Sequence, residues 1–459
     1  MAEAPSHEDL SSSPLSPLDW LMPRAYIRQM LCFPASASAS SSHATDRNIS
    51  GESDVTKTLR DGFAATASQV PYLLSRVVSL THPHGAVGLS GPYQLAEDLF
   101  DTRGVSRDYN YAALKCAGSP PDVLGRGGFA PETSSDEEPV FRARLSLVER
   151  GFVLGVAVHH STTDITGFGV LLKIWAANCR RLQNHPEDEN ELPLVDAAML
   201  DRAAVRDLGS GVPGSDIPST IPPVLIFQDG EPIPKPAGLK ALATDVLPSV
   251  AADVPWVSTS DILTALLWSA VVAAQAPPPS PTFATNNTAS LSTMSIPVNF
   301  RARCEPPLSP VYLGAAFGRA AASAPIPRRN GSSDASRQDR TAATIRRSIR
   351  DQVNVQSIRA AVAYTAAQPD LTGVKRRPAD EISIISWADQ GVCTLDWGSY
   401  VGRCGAVRLG KMAGRRYPIV LPRLADGGLD VILSLEAAAM ERFRGGALVR
   451  PFGELRCLV

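Results

Sequence analysis

A pair of histidines followed by an aspartate is the part of this sequence best suited to chemistry. His159 and His160 end the apolar run GFVLGVAVHH, and Asp164 and Gly167 follow within one short segment. An imidazole has an ordinary pKa of about 6.5, so at neutral pH it is mostly uncharged and can take a proton from a hydroxyl or an amine. The segment predicts a general base. The alternative is a surface or capping pair of histidines, with Asp164 capping the next helix.

Two predicted strands and a helix surround this segment. Residues 140–149 alternate polar and apolar side chains, as in a half-buried strand, and residues 151–160 form a more fully buried returning strand. Glu149-Arg150-Gly151 predicts the hairpin turn between them. Residues 167–182 have apolar side chains at helical spacing. A histidine that ends a buried strand before a tight turn is positioned rigidly enough to act as a base.

The rest of the chain also mixes helices and strands, which predicts an α/β or α+β protein in two similar halves. Helices are predicted over 56–68 and 257–275, the latter opening with Ser, Thr and Asp residues that can cap it. Short apolar segments predict the strands of the second half. Three Ser-, Pro- or Asn-rich stretches predict loops, over 34–53, 276–293 and 323–341, and a longer one predicts a crossing connection over about 183–240.

Composition excludes several classes of protein. Hydrophobic residues make up 44% of the chain and the net charge is −2, which fits a globular protein without a nucleic-acid partner. The seven cysteines are widely spaced and form no CxxC pair, so neither a disulfide framework nor a metal site is expected. The N-terminus lacks a signal-peptide core, and no apolar run approaches the roughly 20 residues of a membrane span. A cytoplasmic protein is expected.

The segment HHSTTDITG resembles the HHxxxDxxG motif of BAHD-type acyltransferases, in their fungal, trichothecene 3-O-acetyltransferase-like branch. Condensation domains of peptide synthetases share this motif. Further similarity to the acyltransferases covers almost the whole chain. It lies in LSPLDWLMPRAY near the N-terminus, in STSDILTALLW (258–268), in PVNFRARCEPPLSPVYLGAAFG (297–318) and in SWADQGVCTLDWGSYVG (386–402).

The resemblance implies a fold of two similar chloramphenicol-acetyltransferase-like domains, each a mixed sheet with helices. Residues 1–185 would form the N-terminal domain, 186–240 the crossover linker and 241–459 the C-terminal domain. A channel between the domains would admit CoA from one face and the acceptor from the other. The family fold commonly works as a monomer.

The resemblance also implies the roles of individual residues. His160 would be the base that deprotonates the acceptor as it attacks acyl-CoA, without an acyl-enzyme. Asp164 would pair with Arg301 and fix the loop that carries His160, with His159 and Gly167 as further support. A loop with Asp396, Trp397 and Gly398 would shape the donor side of the channel. No permanent cofactor is expected; acetyl-CoA would be the co-substrate, and the acceptor a hydroxyl of a fungal terpenoid, polyketide or alkaloid.

Three positions depart from the family pattern. Asn299 replaces an Asp, Ala315 replaces an Asn, and Ser399-Tyr400 replace the second half of DFGWG. These changes leave two other functions open. One is a scaffold that lost acyl transfer and works without CoA as a cyclase, isomerase or binding protein. The other is a condensation-type enzyme that uses a carrier-protein thioester.

Overall fold

The computed structural model describes residues 13–35, 48–91, 94–133, 139–183, 195–225, 253–275, 290–326, 335–374, 382–410 and 418–457. Within them the strands are β1 (Ser13–Pro14), β2 (Tyr26–Pro34), β3 (Arg76–Ser79), β4 (Val87–Ser90), β5 (Phe100–Asn110), β6 (Phe141–Glu149), β7 (Gly151–His159), β8 (Ser290–Asn299), β9 (Phe317–Ile326), β10 (Ile382–Ser383), β11 (Ile385–Ser386), β12 (Ala406–Arg408), β13 (Ile419–Val420) and β14 (Val431–Ile432). The α-helices are α1 (Pro17–Trp20), α2 (Asn48–Gln69), α3 (Tyr111–Cys116), α4 (Pro121–Arg126), α5 (Ile165–Arg181), α6 (Ala197–Leu200), α7 (Ala203–Leu208), α8 (Thr259–Gln275), α9 (Ala335–Gln352), α10 (Val355–Ala367) and α11 (Ala437–Gly445). Among the described helices, none has both the length and the apolar character to cross a membrane.

A five-stranded sheet positions the two histidines. Its strand order is β12-β2-β7-β6-β5, antiparallel except for the β5–β6 pair. The predicted hairpin joins β6 to β7, and Arg150 makes its turn with a φ of +62°. β7 is a central strand, and β2 runs beside it so that Tyr26 pairs with His159. The end of β7 is therefore held by neighbouring strands on both sides.

The prediction of a half-buried strand over residues 140–149 is wrong, because both faces of β6 are covered. Even Arg144 is only 7% exposed. Its charge is balanced by Asp101, with the Nε–Oδ2 distance 2.6 Å, and its guanidinium also donates to the carbonyls of Gly128 and Ala130. A polar side chain at an alternate position thus marks a buried arginine paired with a half-exposed aspartate here, and not a solvated face.

Helices α2 and α5 cover one face of this sheet. The aromatic rings of Phe63 on α2 and Phe141 on β6 stack with centroids 4.4 Å apart, and Trp175 on α5 contacts both. The Trp175 indole also donates a hydrogen bond to the carbonyl of Leu59. Because α5 begins directly after the histidine-bearing turn, this packing fixes where that turn meets the helix.

The second half of the chain contributes two three-stranded sheets, of order β10-β8-β9 and β11-β13-β14. β12 also comes from this half, yet it pairs with β2 in the first. Helix α8 packs against α9 and α11. Its N-terminus is capped as predicted, because Ser258 and Asp261 exchange backbone-to-side-chain hydrogen bonds. The mixture of helices and sheets confirms the α/β class.

The predicted loops are partly wrong. Residues 48–53 begin α2, residues 290–293 lie in β8, and α9 starts at residue 335 inside the predicted loop 323–341. These residues are polar because they lie at the ends of helices and strands, whereas the apolar residues that pack against the core lie nearer the middle of the same elements. Composition alone therefore predicted loops here. Pro34 also ends β2, and residues 323–326 end β9. Residues 36–47, 276–289 and 327–334 lie outside the described residues. In the predicted linker, residues 195–225 include α6 and α7, and the domain boundaries at 185 and 240 stay a prediction.

Candidate active site

His160 begins a 3-10 turn, His160–Thr162, that joins β7 to α5. Its backbone N–H donates to the carbonyl of Ala25 at 2.8 Å, which ties the turn to the chain leading into β2. The Nδ1 atom of its half-buried ring lies 3.1 Å from the carbonyl oxygen of Thr163. A carbonyl can only accept, so Nδ1 carries the proton and the lone pair is on Nε2. This is the tautomer in which Nε2 can accept a proton.

His159 has the opposite arrangement. Its side chain is buried, only 1% exposed, and its Nδ1 accepts a hydrogen bond from the backbone N–H of Ser161. The ring lies edge-on to Tyr26, with centroids 5.1 Å apart. Burial lowers the pKa of His159 to about 4, helped by the nearby His160 and Arg24. A neutral, buried imidazole that caps the turn supports its shape and is unsuited to exchange protons with a substrate.

Asp164 caps the N-terminus of α5 and forms a buried ion pair. Its Oδ1 accepts from the backbone N–H of Gly167 at 2.9 Å, which satisfies one of the unpaired donors of the first helical turn. Arg301 binds the carboxylate with both terminal nitrogens, at 2.8 and 2.9 Å. The two side chains are 4% and 3% exposed. Both carboxylate oxygens bind Arg301, whereas Nδ1 of His160 contacts the carbonyl of Thr163, so these two groups do not form a His–Asp catalytic pair.

Arg301 is held by acceptors on its other edges. It donates to the carbonyls of Tyr312 and Gly314, and its Nη1 donates to Oδ1 of Asn299 at 3.2 Å. Asn299 also accepts from the backbone N–H of Arg301. The amide oxygen of Asn299 therefore accepts hydrogen bonds at the position where the family pattern has a carboxylate. This departure removes a negative charge and keeps an acceptor beside the guanidinium.

Gly167 lies where the helix meets the second half of the chain. A Cβ at this position would lie 2.4 Å from Oγ1 of Thr163 and 2.6 Å from the backbone oxygen of Leu313. Backbone cannot move aside as a flexible side chain can, so a larger residue here would push α5 away from the segment that contains Leu313. The glycine is required by this close approach.

The residues of the predicted donor-side loop lie at the other end of α5. Arg180 donates to the backbone oxygen of Asp396, and Gln183 donates to that of Trp397. Trp397 is completely buried, and Gly398 has a φ of +90° in a turn that leaves no room for a Cβ beside Gln183. Helix α5 spans 17 residues, or about 25 Å, so this loop is far from His160.

A second buried ion pair reaches the histidine-bearing turn, and the sequence did not identify it. Arg202, in α7's capping position, lies 3.2 Å from both carboxylate oxygens of Asp19 and donates to the carbonyl of Thr162 at 2.7 Å. Its guanidinium also lies over the rings of Tyr72 and Tyr312. In the sequence, Asp19 lies within the family-like segment LSPLDWLMPRAY, and because its side chain is fully buried it requires a cation.

Two family models match the chain. Residues 127–447 match the Transferase family, and residues 26–179 match the trichothecene 3-O-acetyltransferase-like N-terminal domain. Among characterised proteins, an eremophilane O-acetyltransferase of Penicillium rubens is 24% identical, over 94% of this chain and 96% of that protein. An eremophilane O-acetyltransferase of Penicillium roqueforti is 23% identical, over 96% and 98%.

Solved structures share the fold. The crystal structure of TRI101 from F. graminearum, complexed with coenzyme A and deoxynivalenol, superposes with a TM-score of 0.74 at 19% identity, over 96% of this chain and 99% of that one. Vinorine synthase superposes with a TM-score of 0.57 at 15% identity, over 96% and 93%. Because the first family model spans well over half of the residues, this chain belongs to the Transferase family, as an acyltransferase of its trichothecene 3-O-acetyltransferase-like branch.

Proposed function

We propose that this protein transfers an acetyl group from acetyl-CoA to a hydroxyl of a terpenoid-like fungal secondary metabolite, with His160 as the general base. Relatives that match nearly the whole chain are named O-acetyltransferases, two of them for eremophilane acceptors. TRI101, which shares the fold, is complexed with coenzyme A. These names do not favour the alternatives of a scaffold without CoA or of a carrier-protein condensation enzyme.

One observation carries the role of His160. The contact between its Nδ1 and the carbonyl of Thr163 puts the proton on Nδ1, and the ring is half-buried at the end of a rigid strand. A base must present an unprotonated nitrogen, and Nε2 of His160 is such an atom. His159 is excluded from this role by its burial and its lowered pKa.

The reaction then needs only one protein base. Nε2 of His160 takes the proton of the acceptor hydroxyl while the oxygen of that hydroxyl attacks the carbonyl carbon of the thioester. The tetrahedral intermediate collapses by breaking the carbon–sulfur bond, and the imidazolium returns its proton to the departing CoA thiolate. The acetyl group passes directly from sulfur to oxygen, so no acyl-enzyme forms. A base in this position contributes typically about 10²–10⁴-fold to the rate.

The other predicted site residues support the turn without touching substrate. Asp164 and Arg301 hold the start of α5 against the segment around Gly314, and Gly167 permits their close approach. His159 holds the turn from inside through Ser161. These roles explain why a change at Asp164 is expected to act through stability and positioning, and not through the proton transfer itself.

The loop of Asp396, Trp397 and Gly398 is proposed to shape the donor side of the site through packing. Trp397 is too deeply buried to contact CoA itself, and its ring lies against Trp175 with centroids 5.5 Å apart. Ser399 and Tyr400 stand in place of the second half of DFGWG. The hydroxyl of Ser399 and the backbone N–H of Tyr400 both donate to Oε1 of Gln183. The altered half of the motif is therefore hydrogen-bonded to the residue that lies just beyond the C-terminus of α5. The proposal further includes a monomeric, cytoplasmic enzyme.

The direct test measures donor and acceptor separately. Isothermal titration calorimetry of the purified protein with acetyl-CoA is expected to give a micromolar Kd, or about −8 kcal/mol. The protein with acetyl-CoA is then incubated with a panel of eremophilane and trichothecene alcohols, and the products are analysed by mass spectrometry for added acetyl groups. Acetyl ester with at least one alcohol supports the proposal. Absence of acetyl-CoA binding would contradict the proposal and would favour the alternative of a scaffold that works without CoA.

A further inference from the structure

We propose that Arg202 is a positioning residue that holds the histidine-bearing turn in its active shape, through the carbonyl of Thr162. This inference rests on the proposed function, since it assigns Arg202 a role toward the same histidine. Arg202 belongs to the predicted linker between the halves, and its Nη2 donates to the Thr162 carbonyl at 2.7 Å. Thr162 ends the 3-10 turn that begins at His160.

Two arginines bind the residues on either side of Thr163. Arg202 binds the carbonyl of Thr162, and Arg301 binds the carboxylate of Asp164. The carbonyl of Thr163 lies between these two points in the chain and accepts the proton of His160 Nδ1. Arg202 therefore holds the peptide that precedes Thr163, and Arg301 holds the residue that follows it. The Thr163 carbonyl belongs to the peptide between Thr163 and Asp164, so the two contacts together fix the atom that selects the tautomer of His160.

The two arginines are parts of one buried unit. The ring of Tyr312 lies between them, 5.5 Å from the guanidinium carbon of Arg202 and 5.7 Å from that of Arg301. The neighbouring backbone N–H groups of Ala315 and Ala316 each donate at 2.9 Å to a different carboxylate, the first to Asp19 and the second to Asp164. One segment of the second half therefore aligns both ion pairs.

Asp19 anchors Arg202 through Nη1, the guanidinium nitrogen beside the one that binds the turn. The carboxylate is fully buried, and it accepts hydrogen bonds from the backbone N–H and hydroxyl of Ser16 and from Ala315. With these donors in place, Asp19 cannot move, and the guanidinium that it pairs with is fixed against Thr162. The planar guanidinium reaches the two groups through two different nitrogens, Nη1 to Asp19 and Nη2 to Thr162, whereas an ammonium presents a single nitrogen.

The second half of the chain contains a matched arrangement that does not involve the turn. Asp261 accepts hydrogen bonds from the backbone N–H and hydroxyl of Ser258, as Asp19 does from Ser16. Arg346 binds both Ser258 and Asp261 while it stacks on Trp256. Arg346→Lys therefore removes the same chemical group from the same kind of ion pair. It serves as the control for Arg202→Lys.

The experiment compares these two variants with the wild type. Arg202→Lys keeps a charge beside Asp19 and loses the bond to Thr162. We expect its kcat for acetyl transfer to fall about tenfold, as for one lost hydrogen bond from a charged donor, with KM for acetyl-CoA changed less than about twofold. Arg346→Lys should leave both constants near wild type. If Arg202→Lys does not fold, Gly314→Ala replaces it, because the new Cβ would lie 1.9 Å from Nη1 of Arg202 and 2.3 Å from the hydroxyl of Tyr312, and would displace the guanidinium together with the ring beside it.

A spectroscopic readout decides the inference without turnover. Long-range proton–nitrogen spectra of protein labelled with ¹⁵N-histidine identify which ring nitrogen of His160 carries the proton, with His160→Ala assigning the signal. We expect the Nδ1-protonated form in the wild type and in Arg346→Lys, and a mixture with the Nε2-protonated form in Arg202→Lys. An unchanged tautomer together with an unchanged kcat would overturn the role of Arg202. Retained transfer by His160→Ala would instead overturn the proposed function.

Discussion

Replacing Asp164 by asparagine is expected to destabilise the protein by about 3–5 kcal/mol, the cost of breaking a buried ion pair from one side. The wild-type carboxylate accepts from two nitrogens of Arg301, from the N–H of Gly167 and from the N–H of Ala316. An asparagine keeps one acceptor oxygen, and its amide nitrogen would face other donors. Arg301, which is 2% exposed, would keep its charge without a counterion.

This loss is large beside the roughly 5–15 kcal/mol by which folded proteins are stable. Its effect on Tm is smaller than the free energy suggests. With about 2.1 cal/mol/K per residue, unfolding all 459 residues has an entropy of roughly 1 kcal/mol/K, so Tm should fall by about 3–5 °C. Differential scanning calorimetry resolves such a shift.

The control for this prediction is Asp253→Asn. Asp253 also receives two hydrogen bonds from one arginine, Arg347, but the pair lies at the surface, with the carboxylate side chain 51% exposed. Solvent can replace those bonds, so no resolvable change of Tm is expected. An Asp164→Asn protein that melts like the wild type would refute the reasoning, because the pair with Arg301 would then contribute nothing to the fold.

Two further predictions concern the residues around the turn. The pKa of His159 is lowered to about 4 in the folded protein, so between roughly pH 6.5 and pH 4 this imidazole binds a proton in the unfolded chain but not in the folded protein. The free energy of unfolding therefore decreases as the pH is lowered through this window. Urea denaturation at about pH 7.5 and pH 5 should show the wild type losing about 2 kcal/mol more than His159→Asn; equal losses would mean that His159 is not held neutral. Gly167→Ala should cost about 1–3 kcal/mol of stability through overpacking against Leu313, while Gly214→Ala, where a Cβ meets nothing within 4 Å, should not, and calorimetry of the two variants compares them. Equal Tm values for these two variants would show that α5 can shift freely.

Local patterns predicted the elements that carry the candidate base. The β6–β7 hairpin and α5 follow from alternation, a turn and helical spacing between residues that are close in the chain. The contact of Arg301 with Asp164 spans 137 residues, and only the resemblance to a family with this motif indicated it. Such long-range pairs have no local signal, because either residue could equally be a solvated charge.

Other features could not be predicted because they depend on tertiary packing. β12 is three residues long, and it is a strand only because it pairs with the edge of β2, where Ala406 lies opposite Cys32 from the other half of the chain. Arg202 lies in a Pro-, Gly- and Asp-rich stretch whose composition predicts a linker, yet its side chain is 10% exposed. The burial of Asp19, which requires a cation from elsewhere in the chain, is itself a product of tertiary packing.

The most direct test of the proposed mechanism is acetyl transfer by His160→Ala, with the binding of acetyl-CoA measured on the same protein by calorimetry. If Nε2 of His160 is the base, kcat should fall about 10²–10⁴-fold while the Kd of acetyl-CoA stays within about twofold of the wild type. His159→Asn provides the comparison, because it changes the neighbouring imidazole and leaves the base in place. Turnover by His160→Ala within a few-fold of the wild type would contradict the assignment of His160 as the base.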